Sequence, residues 1–192
     1  MSNRSEISGL PERDEAESYY WRYIDRIQDP DVVGVLETQL GPTVAFLRQY
    51  DDAGSLYRYQ PDKWSVREVV GHLADCERLF LARAFWFARG FSTPLPSFDQ
   101  NVCVTAGEAD LVPWDQLIDE LTTIRESTLS FFRNLPAEAW TRRGVASDCG
   151  FSVRALAYLA AGHVDHHLAV LRERYDAEGG KVRSSDRQQQ PA

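Results

Sequence analysis

Four separate stretches of this chain repeat their apolar residues every three or four positions, and that period leaves little choice of fold. The clearest lies between Ser65 and Gly90. There Val66, Val69, Val70, Leu73, Phe80, Ala84 and Phe87 share one side of a helix turning about 100° per residue. Ser65, with Glu68 three residues later, forms a capping box in which each side chain satisfies the other's free backbone N–H. Gly90 is a natural stop. An earlier helix opens at Pro30-Asp31 and runs to about residue 50, striped by Val32, Leu36, Leu40, Val44, Leu47 and Tyr50, with a kink expected at Gly41-Pro42. A third spans about 113 to 135, opened by Pro113 and striped by Leu117, Leu121, Ile124, Phe131 or Phe132, and Leu135. The fourth runs from about 153 to 175. No stretch carries a convincing strand pattern, so the expected class is all-α, a four-helix bundle.

Residues 91–112 carry two prolines, a glycine and no sustained period. They form a long connection, able to cross the bundle from end to end, so that the helices on either side of it run parallel. Ordered connections of this length often line a functional site. Residues 14–28 place aromatics at helical spacing, as a short helix or an aromatic-rich arm, and the residues after Tyr175 are polar and read as disordered. The domain reading is an N-terminal arm or short helix at 1–29, a bundle at 30–175 and a disordered tail at 176–192.

Composition excludes several functions. The formal charge of -8 argues against nucleic acid or an anionic membrane as partner, since both reward clustered Lys and Arg. No apolar run reaches the ~18 residues of a membrane span. The polar start with Arg4 and Glu6 does not resemble a signal peptide, so the expected location is the cytoplasm. Cys76, Cys103 and Cys149 are odd in number and contain no CxxC pair, which argues against a disulfide framework or a cysteine-based zinc site.

The segment GHVDHHLAVL, residues 162–171, holds three of the four histidines. On the last helix Val153, Leu156, Ala160, His163, His167, Val170 and Leu171 share one stripe, while His166 falls off it and faces outward or sits at its edge. Two imidazoles buried on successive turns must find partners for their nitrogens, at roughly 1–3 kcal/mol for each one left unpaired. Backbone carbonyls are one solution. A divalent metal is another, since it takes a lone pair from each ring and supplies the positive charge itself. The small neighbours Ala157, Ala160, Ala161 and Gly162 leave space for it. The zinc-peptidase motif is absent, because Val164 stands where its Glu would be. The remaining histidine, His72, lies on the flank of the second helix, from which it can reach the core face of a neighbour. Three ligands leave a coordination position open, as in reactive rather than structural sites. Cys76, one turn after His72, is read as a small buried residue rather than a fourth ligand.

KWSVREVVGHLADCERLF around His72, the following ARGFSTPLPSFDQN, and AGHVDHHLAVLRERY together resemble the DinB/YfiT-like superfamily over about residues 30–175. The resemblance implies a four-helix bundle with a divalent metal on His72, His163 and His167, zinc or nickel first, with iron, manganese and copper as alternatives. It also implies a choice of activities. Some relatives are S-transferases using bacillithiol or a similar low-molecular-weight thiol, some use mycothiol, and others are described as metal-dependent hydrolases. The leading expectation is a thiol S-transferase acting on an electrophilic small molecule. Hydrolysis and a non-catalytic metal-binding stress-response module stay open, as does a homodimer. Around the centre, Asp99 either orients a ligand histidine, acts on substrate or serves turn chemistry. Arg83 either meets a carboxylate of the thiol or is a solvated surface group. Trp64 and Trp114 are read as core or staple residues.

Overall fold

The computed structural model describes residues 9–176. The first eight residues and the tail from 177 onward, where the disordered segment was expected, lie outside the described residues. Among the described residues there are six α-helices: α1, Trp21–Ile24; α2, Val32–Leu47; α3, Val66–Ala88; α4, Gln100–Gly107; α5, Trp114–Arg133; and α6, Val153–Val170, prolonged by one π-helical turn, Leu171–Tyr175. The four long ones form the bundle. Among the described residues no helix is long and apolar enough to cross a membrane.

Cap chemistry explains the boundaries. The Ser65 hydroxyl accepts the Glu68 N–H at 3.0 Å, and the Glu68 carboxylate accepts the Ser65 N–H at 2.9 Å. The Ser152 hydroxyl accepts from Ala155 N at 2.9 Å, and Asp31 accepts from Gly34 N at 3.0 Å. Each such cap stabilises its helix by about 1 kcal/mol. Helix α3 ends at Gly90, whose φ of 82° suits a residue without a side chain. Helix α2 runs unbroken through Pro42. Phe132 rather than Phe131 completes the buried stripe of α5.

Cross-helix contacts set the topology. Arg78 bonds Glu120 and Phe85 packs on Phe131, so α3 and α5 run parallel, as the long connection between them requires. Tyr175 at the end of α6 donates to the carbonyl of Trp64 at the start of α3, which makes those two antiparallel. Arg133 pairs with Glu37, and the indole of Trp114 donates to Tyr50 O, so α2 is antiparallel to α5. Gln39 reaches Ala161 O and Tyr50 reaches Asp176, so α2 runs alongside α6.

Two features depart from the sequence reading. The 91–112 connection contains α4, capped by Asp99. The loop before α6 contains a hairpin, β1 (Arg143–Ala146) paired antiparallel with β2 (Cys149–Ser152), with Arg143 opposite Ser152. Its two-residue turn places Ser147 and Asp148 at φ 54° and 59°, the backbone of a type I′ turn. Strands of four residues show too little alternation to stand out, and Ser-Asp is a weak substitute for Asn-Gly.

The N-terminal arm packs on this framework. Ile24 and Ile27 are buried with the core residues of α3, α5 and α6. The Glu15 carboxylate is held by Arg154 and by the Ser152 hydroxyl at 2.6 Å. Helix α6 is consequently buried on nearly every side from Val153 to Val164, rather than along one stripe. Its small residues serve this packing. A Cβ at Gly162 would lie 2.0 Å from the carbonyl oxygen of Tyr23, so Gly162 seats α1 rather than leaving space around the histidines.

Candidate metal centre

The apolar core divides into two clusters, one toward the hairpin and one toward the Trp64 end, and the histidines lie where they meet. His72 comes from the second turn of α3, His163 and His167 from successive turns of α6. His72 Nε2 faces His163 Nε2 at 3.2 Å. Ring centroids are 4.5 Å apart for His163 and His167, and 5.0 Å for His72 with each of them. One nitrogen from each ring belongs to a set whose members all lie within 4.8 Å of one another. His72 and His163 are buried and His167 is half-buried. His166 points away, half-buried against the ring of Tyr23 at 5.2 Å.

Burial keeps these rings neutral. It lowers His72 to about 4. It lowers His167 to about 3, with the neighbouring His72 and His166 adding to the effect. His163 is pushed well below the usual imidazole range by burial and then by His167, His72 and His166. Each ring therefore offers a lone pair at neutral pH. Two nitrogens that each bind one cation at ~2.0–2.1 Å with a near-tetrahedral angle stand about 3.3 Å apart, so the 3.2 Å separation suits a shared divalent ion. Among the described residues no backbone carbonyl bonds any of the three rings, so the carbonyl-satisfied arrangement is not the one adopted.

The surroundings are aromatic. Trp64 lies over His72 at 4.8 Å, and Phe80 and Tyr23 approach His163 at 5.6 and 5.3 Å. Cys76 Sγ is 3.6 Å from His72 Nδ1 but outside the clustered donors, and burial pushes its thiol up to about 12. It behaves as a small buried residue. A cavity of about 220 Å³ opens beside His163, and a recess of about 470 Å³ opens at His167.

Asp99 takes the turn-chemistry role: it is exposed and accepts the backbone N–H groups of Asn101 and Val102 at 2.9 and 3.2 Å. Its neighbours Phe98 and Gln100 line the His163 cavity. Arg83 is 3% exposed, so it is not a surface group. Two elements had no sequence signal. One is Ser147 of the hairpin turn, which meets Arg83. The other is a buried network in which Arg125 grips Glu77 at 2.6 and 2.8 Å and also reaches Leu36 O and Gln39. The role of Tyr23 had one weak signal, the helical spacing of aromatics in 14–28.

The model of the DinB superfamily matches residues 36–171, most of the chain. The protein belongs to the DinB superfamily. Among solved structures, it is similar to YfiT from Bacillus subtilis, with 18% identity and a TM-score of 0.70, over 90% of this chain and 98% of YfiT. YfiT is described as a probable metal-dependent hydrolase with an unusual four-helix bundle topology. The chain is also similar to the mycothiol-dependent maleylpyruvate isomerase, with 12% identity and a TM-score of 0.62, over 76% of this chain and 61% of the isomerase. No curated protein matches it in a sequence search. At these identities the bundle fold is what the structures share.

Proposed function

We propose that this DinB-superfamily protein binds a divalent metal through His72, His163 and His167 and is a metal-dependent S-transferase using a low-molecular-weight thiol, bacillithiol or a similar one. The observation that carries the reading is the convergence of three neutral imidazoles, two buried and one half-buried, from two helices beside open cavities. A cation held there would supply the charge that converts a thiol, with an ordinary pKa near 8.5, into a nucleophilic thiolate at neutral pH. The chain's own residues do the rest. The histidines stay unprotonated because they are buried. Trp64, Phe80 and Tyr23 hold the rings in place and exclude water. The two cavities give thiol and electrophile separate approaches. The name of the mycothiol-dependent isomerase supports thiol chemistry on this fold. The description of YfiT supports a second reading, hydrolysis, in which water takes the place of the thiol.

Elemental analysis of tag-free protein, followed by conjugation of bacillithiol-type thiols to monochlorobimane, tests the proposal. Metal-dependent conjugation that disappears in His167→Ala supports the transferase. Bound metal with no conjugation across several thiols sinks it. Metal-dependent cleavage of esters or amides would then favour the hydrolase.

A further inference from the structure

Arg67, Arg83 and Arg125 are the buried arginines among the described residues. Arg67 pairs with Asp52, and Arg125 pairs with Glu77 through both carboxylate oxygens. Arg83 has no carboxylate partner among the described residues. Its Nη2 donates to the Ser147 hydroxyl at 2.7 Å and, at the long distance of 3.4 Å, to Pro96 O. Its buried Nε has no partner among the described residues. Burying a cation without a counter-charge is costly, and a folded chain keeps such a group where something else supplies the negative charge.

The surroundings say where that charge would sit. Arg83 lines the cavity of about 220 Å³ beside His163, and it is the single Asp, Glu, Lys or Arg side chain in that lining. Aromatic rings, including Tyr20, Tyr23, Phe80 and Phe98, form much of the remaining wall, with Gln100 and Ser147 among its polar groups. Burial keeps the Tyr20 hydroxyl in its protonated form, so it does not neutralise the guanidinium. Phe80, one turn before Arg83, faces the ring of His163. A protein of charge -8 thus holds a small chamber, lined by aromatic rings and one guanidinium, that ends at the histidine centre.

We propose that this chamber is a carboxylate-binding site anchored by Arg83, and that the molecule brought to the centre through it carries a carboxylate on a compact apolar or aromatic body. A single guanidinium with aromatic walls suits a monocarboxylate better than a phosphate, which needs several donors. The site itself follows from the unpaired arginine. Its use for a co-substrate rests on the enzymatic reading above.

The test is calorimetric titration of the full-length protein, metal-free and zinc-loaded, with cinnamate and with cinnamamide, its neutral counterpart. Cinnamate should bind both forms, roughly 10- to 100-fold tighter than the amide, the range expected of a hydrogen bond to a charged group. Arg83→Gln should abolish that preference while bound zinc stays unchanged, and Arg83→Lys should retain part of it. Equal binding of cinnamate and cinnamamide overturns the proposal, as does full cinnamate affinity in Arg83→Gln. The acid–amide comparison needs no variant, so it decides the matter even if Arg83→Gln fails to fold. Kinetics then assign the source of the carboxylate. If Arg83→Gln raises KM for 3-mercaptopropionate but not 2-mercaptoethanol, the thiol carries it. If it raises KM for iodoacetate but not iodoacetamide, the electrophile does. Turnover with no Arg83-dependent preference in either pair overturns the co-substrate role. Absence of all turnover removes the enzymatic reading, and the titrations still decide the site.

Discussion

Each of the four histidines has a distinct position. His163 and His167 point from successive turns of α6 toward His72, and His166 turns away toward Tyr23. His163→Ala or His167→Ala is therefore expected to lower bound divalent metal, measured by elemental analysis, to near zero with helicity by circular dichroism retained. His166→Ala should leave the metal content unchanged. Loss of metal in His166→Ala with retention in His167→Ala would place the wrong ring at the centre. The phase of these residues on their helix was legible because 100° per residue is a local rule. The state of Arg83 was not. Its burial depends on Ser147 and Pro96, which come from the hairpin turn and the connection before α4. Glu77 and Arg125 form a buried ion pair, both 2% exposed. Glu77→Ala leaves that guanidinium uncompensated, and a loss of about 3–5 kcal/mol in urea unfolding is expected. A loss below 1 kcal/mol would mean that water reaches Arg125 easily.

Among the elements, α6 departs most from its sequence pattern. A stripe of apolar residues suggested one buried face, yet α1, α2, α3 and the hairpin enclose its first half. Gly162 shows the cost of that enclosure. Alanine there would gain up to ~1 kcal/mol of helix propensity. Its Cβ would also meet the Tyr23 carbonyl at 2.0 Å, and displacing backbone costs ~1–3 kcal/mol. The clash should win, so Gly162→Ala is expected to destabilise by about 1–2 kcal/mol in urea unfolding and to loosen Tyr23 from His163. Gly41→Ala in α2, with nothing within 4 Å of the added carbon, should instead be neutral or stabilise by up to ~1 kcal/mol. Equal behaviour of the two variants would contradict the seating of α1 on Gly162. The caps at Ser65 and the stop at Gly90 could be read directly, since both work within a single turn. Helix α4 and the hairpin could not, because eight- and four-residue elements carry too few periods and borrow stability from Leu95 and the bundle surface.

At the scale of the molecule, pH reports on the buried rings. Unfolded histidines titrate near 6.5, whereas His72 and His167 fall to about 4 and 3 when folded. The unfolded chain therefore binds more protons below pH 6.5. The stability linked to these groups is complete above that pH and is lost as it falls toward 4, by up to about 1.4 kcal/mol per pH unit for each ring. The net lowering of Glu15 acts in the same direction at more acid pH: burial alone would raise it, but the bonds from Arg154 and Ser152 outweigh that. Metal-free protein should show a Tm that declines steadily from pH 6.5 to 4, by calorimetry, and a flat profile would show the imidazoles to be hydrated. The four long helices, the cap at Ser65, the parallel run of α3 and α5 and the side of its helix on which each histidine stands were all determined by the sequence itself. Each depends on spacing, on chemistry within a turn or on the length of one connection. The meeting of His72 with His163, 91 residues apart, was decided only in three dimensions. So were the enclosure of α6, the seat of α1 on Gly162 and the burial of Arg83 without a carboxylate partner among the described residues. These depend on where two helices cross and how far one slides along the other. Side-chain packing across the whole core sets that offset, and no single stretch of residues encodes it.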